Sequence, residues 1–553
     1  MLSYKEPVQE APCKSACPAG VDVSRYVRLI GEGEFDDALA VVREKLPFPS
    51  VCGRVCFHPC EDKCNGNHLG GPIAICALKR FVAERPGAVV KEPPSAKSTG
   101  KRVAVIGSGP AGLTAAYYFA KLGHAVTVFE ALPEPGGMMR FGIPDYRLPK
   151  DILVTEINAI KNAGVSIQTN SKIESPAELL RQGYDGVFVA IGAHKGVSMG
   201  VEGEDVAAVK GALSLMKGLN SGSKLGLGDN VVVVGGGNAA VDTARCALRL
   251  GSKRVSILYR RSREEMLANS AEVEQALAEG VDIQFLTMPI KILMTKGKAK
   301  VDCVRTKLGE LDAGGRRQAE PISGSEFTML VDAVVSAIGR VPDLSADSGL
   351  ATTDGGLIQA DANTLATNET GIFAGGDAVT GPASVIEAIA AGRQAAVSID
   401  QYLGGKGEID VPLAPPEAEV MQTGLQGFPV GDRAEMPSLR IDERLRDFSP
   451  VELGFSDEQA IDEANRCLRC DLPITIDVEN CTGCLTCVLR CSLRFEDAFS
   501  PAAAKLKVIP LTDQINEITF LDGCDTCGIC ARHCPHDALY RGVARPVPVV
   551  MGR

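Results

Sequence analysis

The chain has 553 residues, too many for one hydrophobic core, so three or four domains are expected. A net charge of −11 argues against nucleic-acid binding, which needs a basic face, and no apolar run reaches the roughly 18 residues of a membrane span. The 59 glycines and absent tryptophan suit nucleotide-binding turns better than a base-stacking surface.

Residues 1–98 form a cysteine-rich block with helical patches at 23–32 and 35–46. Of 19 cysteines, most sit in two terminal blocks with two- or three-residue spacers, and only Cys246 and Cys303 lie between them. Such clustering in a large chain reads as cluster ligation in a reducing compartment, hence a cytoplasmic protein. The first 13 residues show no signal-peptide pattern. The N-terminal set is Cys13-x3-Cys17-Pro18, then Cys52, Cys56, Cys60 and Cys64 at four-residue steps, then Cys76. Seven thiols in one block are too many for structural cysteines. Two [4Fe–4S] clusters need eight ligands, so either one ligand is not cysteine or one cubane stands alone with spare thiols; thiolate richness favours two clusters.

A linker rich in Pro, Lys and Ser at 91–101 leads into a strand–glycine turn–helix unit. Gly107-x-Gly109-x-x-Gly112 provides a tight turn, backbone approach to a pyrophosphate and close helix packing, with Pro110 and Ala111 opening the helix. Glu130 ends the next strand, where an acidic side chain holds ribose hydroxyls. Gly136, Gly137 and the stretch GIPDYRLP at 142–149 follow. Further on, GIFAGGDAV sets Gly376 and Asp377 between a strand and a helix, where such an Asp approaches the ribityl or pyrophosphate part of a flavin. These elements predict an FAD domain at 99–228 and 339–405.

The second unit, at 229–338, carries Gly235-x-Gly237-Asn238-x-Ala240, with alanine in the third glycine's place. No acidic residue closes its second strand; Arg260, Arg261 and Arg263 cluster there instead. Arginines fork onto a 2′-phosphate that a carboxylate would repel, so NADP(H) is favoured over NAD(H). Residues 406–470 are irregular, rich in Pro and charge, and predicted to wrap over the surface. They end in Cys467-x2-Cys470, open among three readings: structural, completing an N-terminal cluster, or capping the tail.

The tail, 471–553, holds Cys481, Cys484, Cys487 and Cys491, then Cys524, Cys527, Cys530 and Cys534-Pro535. Both runs match the two-cluster ferredoxin pattern, in which the fourth cysteine serves the other cluster; zinc sites use paired CxxC units rather than triplets. Ser492 replaces the proline expected after the first run, and the long spacer predicts a hairpin or helix insertion.

Segments CGRVCFHPCEDKC, IGSGPAGLTAA, GIPDYRLP, VVGGGNAAVD, YRRSREEM, SAIGR and GIFAGGDAVTGPASVIEAI carry a resemblance over 11–405. This region resembles the small subunit of NADPH-dependent glutamate synthase, the electron-input module of dihydropyrimidine dehydrogenase, and NADH-dependent ferredoxin:NADP oxidoreductases. EANRCLRCD also resembles an element of that family. The resemblance implies FAD at the first loop, NADP(H) at the second and cluster ligation by the N-terminal cysteines. The chain departs from the family by having a CxxxCP pair in place of four cysteines, and by Cys76.

The fold class expected is α/β: two Rossmann-like domains, preceded by a helical iron–sulfur domain and followed by an α+β ferredoxin-like one. The expected function is hydride exchange between NADPH and FAD, coupled to one-electron transfer through [4Fe–4S] clusters to or from a ferredoxin or a partner redox subunit in a hetero-oligomer. Alternatives are electron bifurcation, a disulfide reductase, which would need a cysteine pair facing the flavin, and a non-catalytic cluster scaffold.

Overall fold

Residues 103–106 (VAVI) and 231–234 (VVVV) are buried along their whole length, as central strands of parallel sheets covered on both faces must be. The computed structural model describes residues 2–6, 10–93, 95–311, 315–415, 431–512 and 515–542. It divides into two units.

One unit comprises Pro94–Ile409 and Pro437–Leu453. Its first sheet is parallel, in the order Ile372–Ala374, Gly186–Val189, Arg102–Ile106, Ala125–Phe129, Ser166–Gln168. The helix Pro110–Lys121 packs against Val385–Tyr402, whose start is fixed by a reciprocal Ser384–Glu387 cap. Gly392 permits that approach: a Cβ there would run into the Ala111 carbonyl oxygen.

The second sheet is also parallel, ordered Asp282–Gln284, Arg254–Leu258, Asn230–Val234, Ala333–Ser336, Val209–Gly211. Its edge strand Val209–Gly211 precedes 229 in sequence, so this sheet draws on chain outside 229–338. A four-stranded antiparallel sheet built around Lys298–Leu311 adjoins it. On the helix Asn238–Arg249, Arg245 and Arg249 both bond the buried Glu279 carboxylate, at 2.8 and 2.7 Å. The 142–149 loop joins the two halves: Arg147 donates to Asp242 on that helix at 2.8 Å, and the Tyr146 hydroxyl donates to it at 3.1 Å.

The other unit comprises Met1–Pro93, Asp410–Met436 and Gly454–Arg553. Helices Val23–Gly31 and Phe35–Arg43 occupy the predicted helical patches. The strand Leu2–Lys5 pairs antiparallel with Ile474–Asp477, which pairs with Leu539–Arg541. The first residues thus belong to a sheet formed with the cysteine-rich tail, not to a purely helical block. Between the two tail runs, Leu506–Pro510 and Asn516–Phe520 form a hairpin. Of the 406–470 segment, residues 416–430 lie outside the described residues.

Candidate nucleotide and iron–sulfur sites

The strand Arg102–Ile106 ends at Gly107, whose φ of +102° only glycine adopts without strain. A Cβ on Gly107 would meet the Ala190 carbonyl, and one on Gly112 the Gly107 carbonyl, whereas nothing stands within 4 Å of one built on Gly109. So the turn is closed on its protein side and open at Gly109, before Pro110 at the first position of a 12-residue helix. The helix N-terminus there presents unpaired N–H groups suited to a phosphate. Gly137 closes over the turn, its Cβ position 2.7 Å from the Gly109 Cα, and Gly376 faces Ala111 at 3.1 Å. Gly107, Gly109, Pro110, Ala111, Gly112, Gly137, Gly376 and Asp377 are therefore brought together. Buried Glu130 accepts from Ser108 N at 2.9 Å, from the Ser108 hydroxyl and from Leu132 N at 2.8 Å. A carboxylate offers about four acceptor positions, so one remains for a ligand hydroxyl.

Asp377 opens the short helix Asp377–Thr380 and accepts from Ala383 N. Burial pushes its carboxyl up, opposed by the Arg340 guanidinium, whose Nη1 is buried without a hydrogen-bond partner. An orphaned cationic donor beside a glycine cradle fits a polar, anionic cofactor. His194 lies near the same guanidinium; burial first, then Lys217 and Arg340, push its imidazole down to about 4 and keep it neutral.

The second turn repeats the first. Gly235 abuts the Ala337 carbonyl as Gly107 abuts that of Ala190, and Gly237 is open at the start of Asn238–Arg249. Asn238 accepts from Asn269 N at 2.8 Å while its Nδ2 is buried without a partner, and Ala240 is wholly buried. The arginines part company. Arg260 is exposed, Arg261 is buried with its Nε donating to the Arg317 carbonyl, and Arg263 pairs with Glu274 at 2.7 Å.

The cysteines gather in the other unit. Cys481, Cys484, Cys487 and Cys534 line one cavity. Cys491, beside Cys524, accepts from Lys505 N at 3.1 Å, and Cys530 neighbours Cys527 and Cys524. Each run's fourth cysteine thus stands with the other run's triplet. Ser492, in place of proline, is buried inside the helix Thr486–Glu496 and ties down Ser500 N at 3.1 Å.

In the N-terminal region, Cys60 has Cys56 and Cys17 as neighbours, and Cys76 has Cys56 and Cys60. Buried Lys79 lies among Cys56, Cys76 and Cys52 and donates to the Cys52 carbonyl. A buried ammonium needs negative charge nearby, which cluster-bound thiolates supply. Cys13 and Cys64 instead line a cavity with Cys467 and Cys470. Among the described residues, no three or more His, Cys, Asp or Glu side chains stand at single-ion spacing. A cubane gives each thiolate its own iron, so its ligands stand farther apart than those of one zinc ion.

Residues 101–392 match the family described as pyridine nucleotide-disulphide oxidoreductase, and residues 7–88 match dihydropyrimidine dehydrogenase domain II, 4Fe-4S cluster. The NADP(+)-dependent formate dehydrogenase subunit beta of Moorella thermoacetica is 43% identical over 511 residues, 85% of this chain and 71% of that protein. The NADPH-Fe(3+) oxidoreductase subunit beta of Geobacter sulfurreducens is 40% identical over 509 residues, 83% of this chain and 75% of that protein. The glutamate synthase [NADPH] small chain of Escherichia coli K12 is 34% identical over 417 residues, 71% of this chain and 88% of that protein. The chain belongs to this oxidoreductase family.

It is an NADPH-dependent oxidoreductase of the glutamate synthase small-chain type, with FAD/NAD(P) domains and an N-terminal iron–sulfur domain. Despite the family's description, Cys246 and Cys303 lie in separate cores, one with Tyr146 and Met216, the other with Val301 and Val334. They offer no reducible pair. No helix among the described residues is long and apolar enough to cross a membrane. Sequence reasoning missed Arg340 and His194 as site residues. A signal was present: Ala-Ile-Gly occurs twice, at 190–192 and 337–339, each time after a strand and against a glycine turn, with His194 and Arg340 just beyond.

Proposed function

We propose that the chain is the nicotinamide-oxidising or nicotinamide-reducing subunit of a larger redox complex, exchanging electrons between NADPH and a ferredoxin or partner subunit. The observation carrying this reading is the pairing, in one chain, of two open glycine turns with cysteines gathered in fours. FAD, when bound, takes a hydride and releases electrons singly, the conversion needed between a nicotinamide and iron–sulfur carriers. Gly107, Gly109 and Gly112 would hold the FAD pyrophosphate, Glu130 its ribose, and Asp377 with Arg340 the flavin-side polar groups. Gly235, Gly237 and Asn238 would hold the nicotinamide dinucleotide, with Arg260 at the 2′-phosphate. His194, held neutral, and half-buried Arg340 would shape the site around the flavin. The Moorella and Geobacter relatives are named as beta subunits, which supports work within a complex.

The test is anaerobic titration of purified protein with NADPH and with NADH. NADPH is expected to bleach the flavin absorbance and raise reduced-cluster signals in electron paramagnetic resonance. If neither nucleotide bleaches the flavin, the reading fails.

A further inference from the structure

We infer that Cys467 and Cys470 are ligands of an iron–sulfur cluster whose other two ligands are Cys13 and Cys64. The inference rests on the iron–sulfur reading above and extends it to a site assembled from both ends of the chain. These four thiols line one cavity with otherwise mostly apolar walls. None of them is in a disulfide. The sulfurs already receive donors of the kind that cluster ligands accept: Asn65 Nδ2 donates to Cys470 Sγ at 3.3 Å, and Gly66 N to Cys64 Sγ at 3.4 Å.

The segment carrying the pair is anchored where it must be. Glu463 accepts from Ala74 N at 2.8 Å, and Arg466 donates to the carbonyls of Leu69, Gly70 and Gly71 at 2.8–3.2 Å. These bonds hold 463–470 against the loop that follows Cys64.

The assignment also removes the ligand shortage. Seven N-terminal thiols cannot furnish eight ligands, but nine can. Cys56, Cys60 and Cys76 stand beside Lys79 and Cys17 stands beside Cys60; these four form the second set, and Cys52 is a buried residue of the helix Pro49–Val55 whose carbonyl accepts from Lys79. Cys470 Sγ lies 4.0 Å from the Cys527 carbonyl oxygen. The site therefore abuts a cysteine of the tail's second run, and an electron leaving it has the next cluster close at hand.

The test compares full-length protein, purified without oxygen, with the double variant Cys467→Ser, Cys470→Ser and with the controls Cys52→Ser and Cys303→Ser. Iron, acid-labile sulfide and flavin are counted per chain, and the reduced proteins are examined by electron paramagnetic resonance. The double variant is expected to lose about four irons, one cubane, of roughly sixteen, while keeping its flavin. Both controls are expected to keep all their iron. Cys13→Ser removes the same resonance component, so the assignment stays testable if the double variant does not fold. Clusters present in the parent protein, with iron and spectrum unchanged in the double variant and in Cys13→Ser, would overturn the assignment alone. A parent protein without iron would overturn it together with the reading beneath it.

Discussion

Three arginines in a row of four look equivalent in sequence and are not equivalent in the fold. Arg260 is exposed just past the strand Arg254–Leu258, whereas Arg261 is turned inward onto the Arg317 carbonyl. A charge-assisted hydrogen bond is worth about 1.5–3 kcal/mol, or roughly tenfold to a hundredfold in affinity. Arg260→Glu is therefore expected to raise KM for NADPH by that factor and leave KM for NADH almost unchanged. Arg261→Ala is expected to lower the Tm and keep the NADPH/NADH preference. Steady-state kinetics with both nucleotides and a thermal melt separate the two. Burial decides between them, and charge patterning carries no record of it: one partner of Arg261 is a backbone carbonyl 56 residues away. The glycine turns were legible because their requirements are local, a positive φ at Gly107 and an unobstructed Cα at Gly109. Arg340 and His194 were not, because their place depends on two strands lying against two distant turns.

Elements show the same division. Strands over 103–106 and 231–234 announce themselves by unbroken apolar runs, whereas the spacer between the ferredoxin-type runs announces only an insertion, hairpin or helix, which the structure makes a hairpin. The strand Val209–Gly211, three residues with one charge, has no such signature; the neighbouring Ala333–Ser336 makes it a strand. At the joint between the helices Asn238–Arg249 and Ser270–Ala278, Glu279 holds two arginines that also lie over the Tyr146 ring at 4.6 and 4.1 Å. Removing the carboxylate leaves both cations buried without it, so Glu279→Ala is expected to cost about 3–5 kcal/mol, read by denaturant unfolding. Burial alone would push that carboxyl up; hydrogen bonds from Arg249 and Arg245 outweigh it and hold it below its ordinary 4.5. With the folded value depressed, this contribution is present above pH 4.5 and disappears as pH falls through the lower folded value. The stability gap between parent and variant should close over that acid range.

At the scale of the molecule, chain order and spatial order disagree. One unit takes in the beginning, the end and a piece between, while the nucleotide domains occupy the middle. Reading domains as consecutive segments therefore serves the nucleotide sheets better than the cysteine-rich parts. Glu463 and Arg466 hold the 69–74 stretch by hydrogen bonds, so a chain ending at 409 lacks the partners of its own N-terminal helices. Such a truncation is expected to be cut rapidly by protease within residues 10–90. Full-length protein should not be cut there; equal resistance of the two chains would refute the dependence.

The cavity shared by Cys13, Cys64, Cys467 and Cys470 has a consequence for biosynthesis. The first and third of these thiols are 454 residues apart. A ribosome adding about 5–20 residues per second delivers Cys467 roughly 20–90 s after Cys13. Through that interval the nascent N-terminal thiols wait without half of their set. If these four thiols share one cluster, its insertion waits until Cys470 has been synthesised, and the nascent N-terminal thiols need protection from oxidants until then.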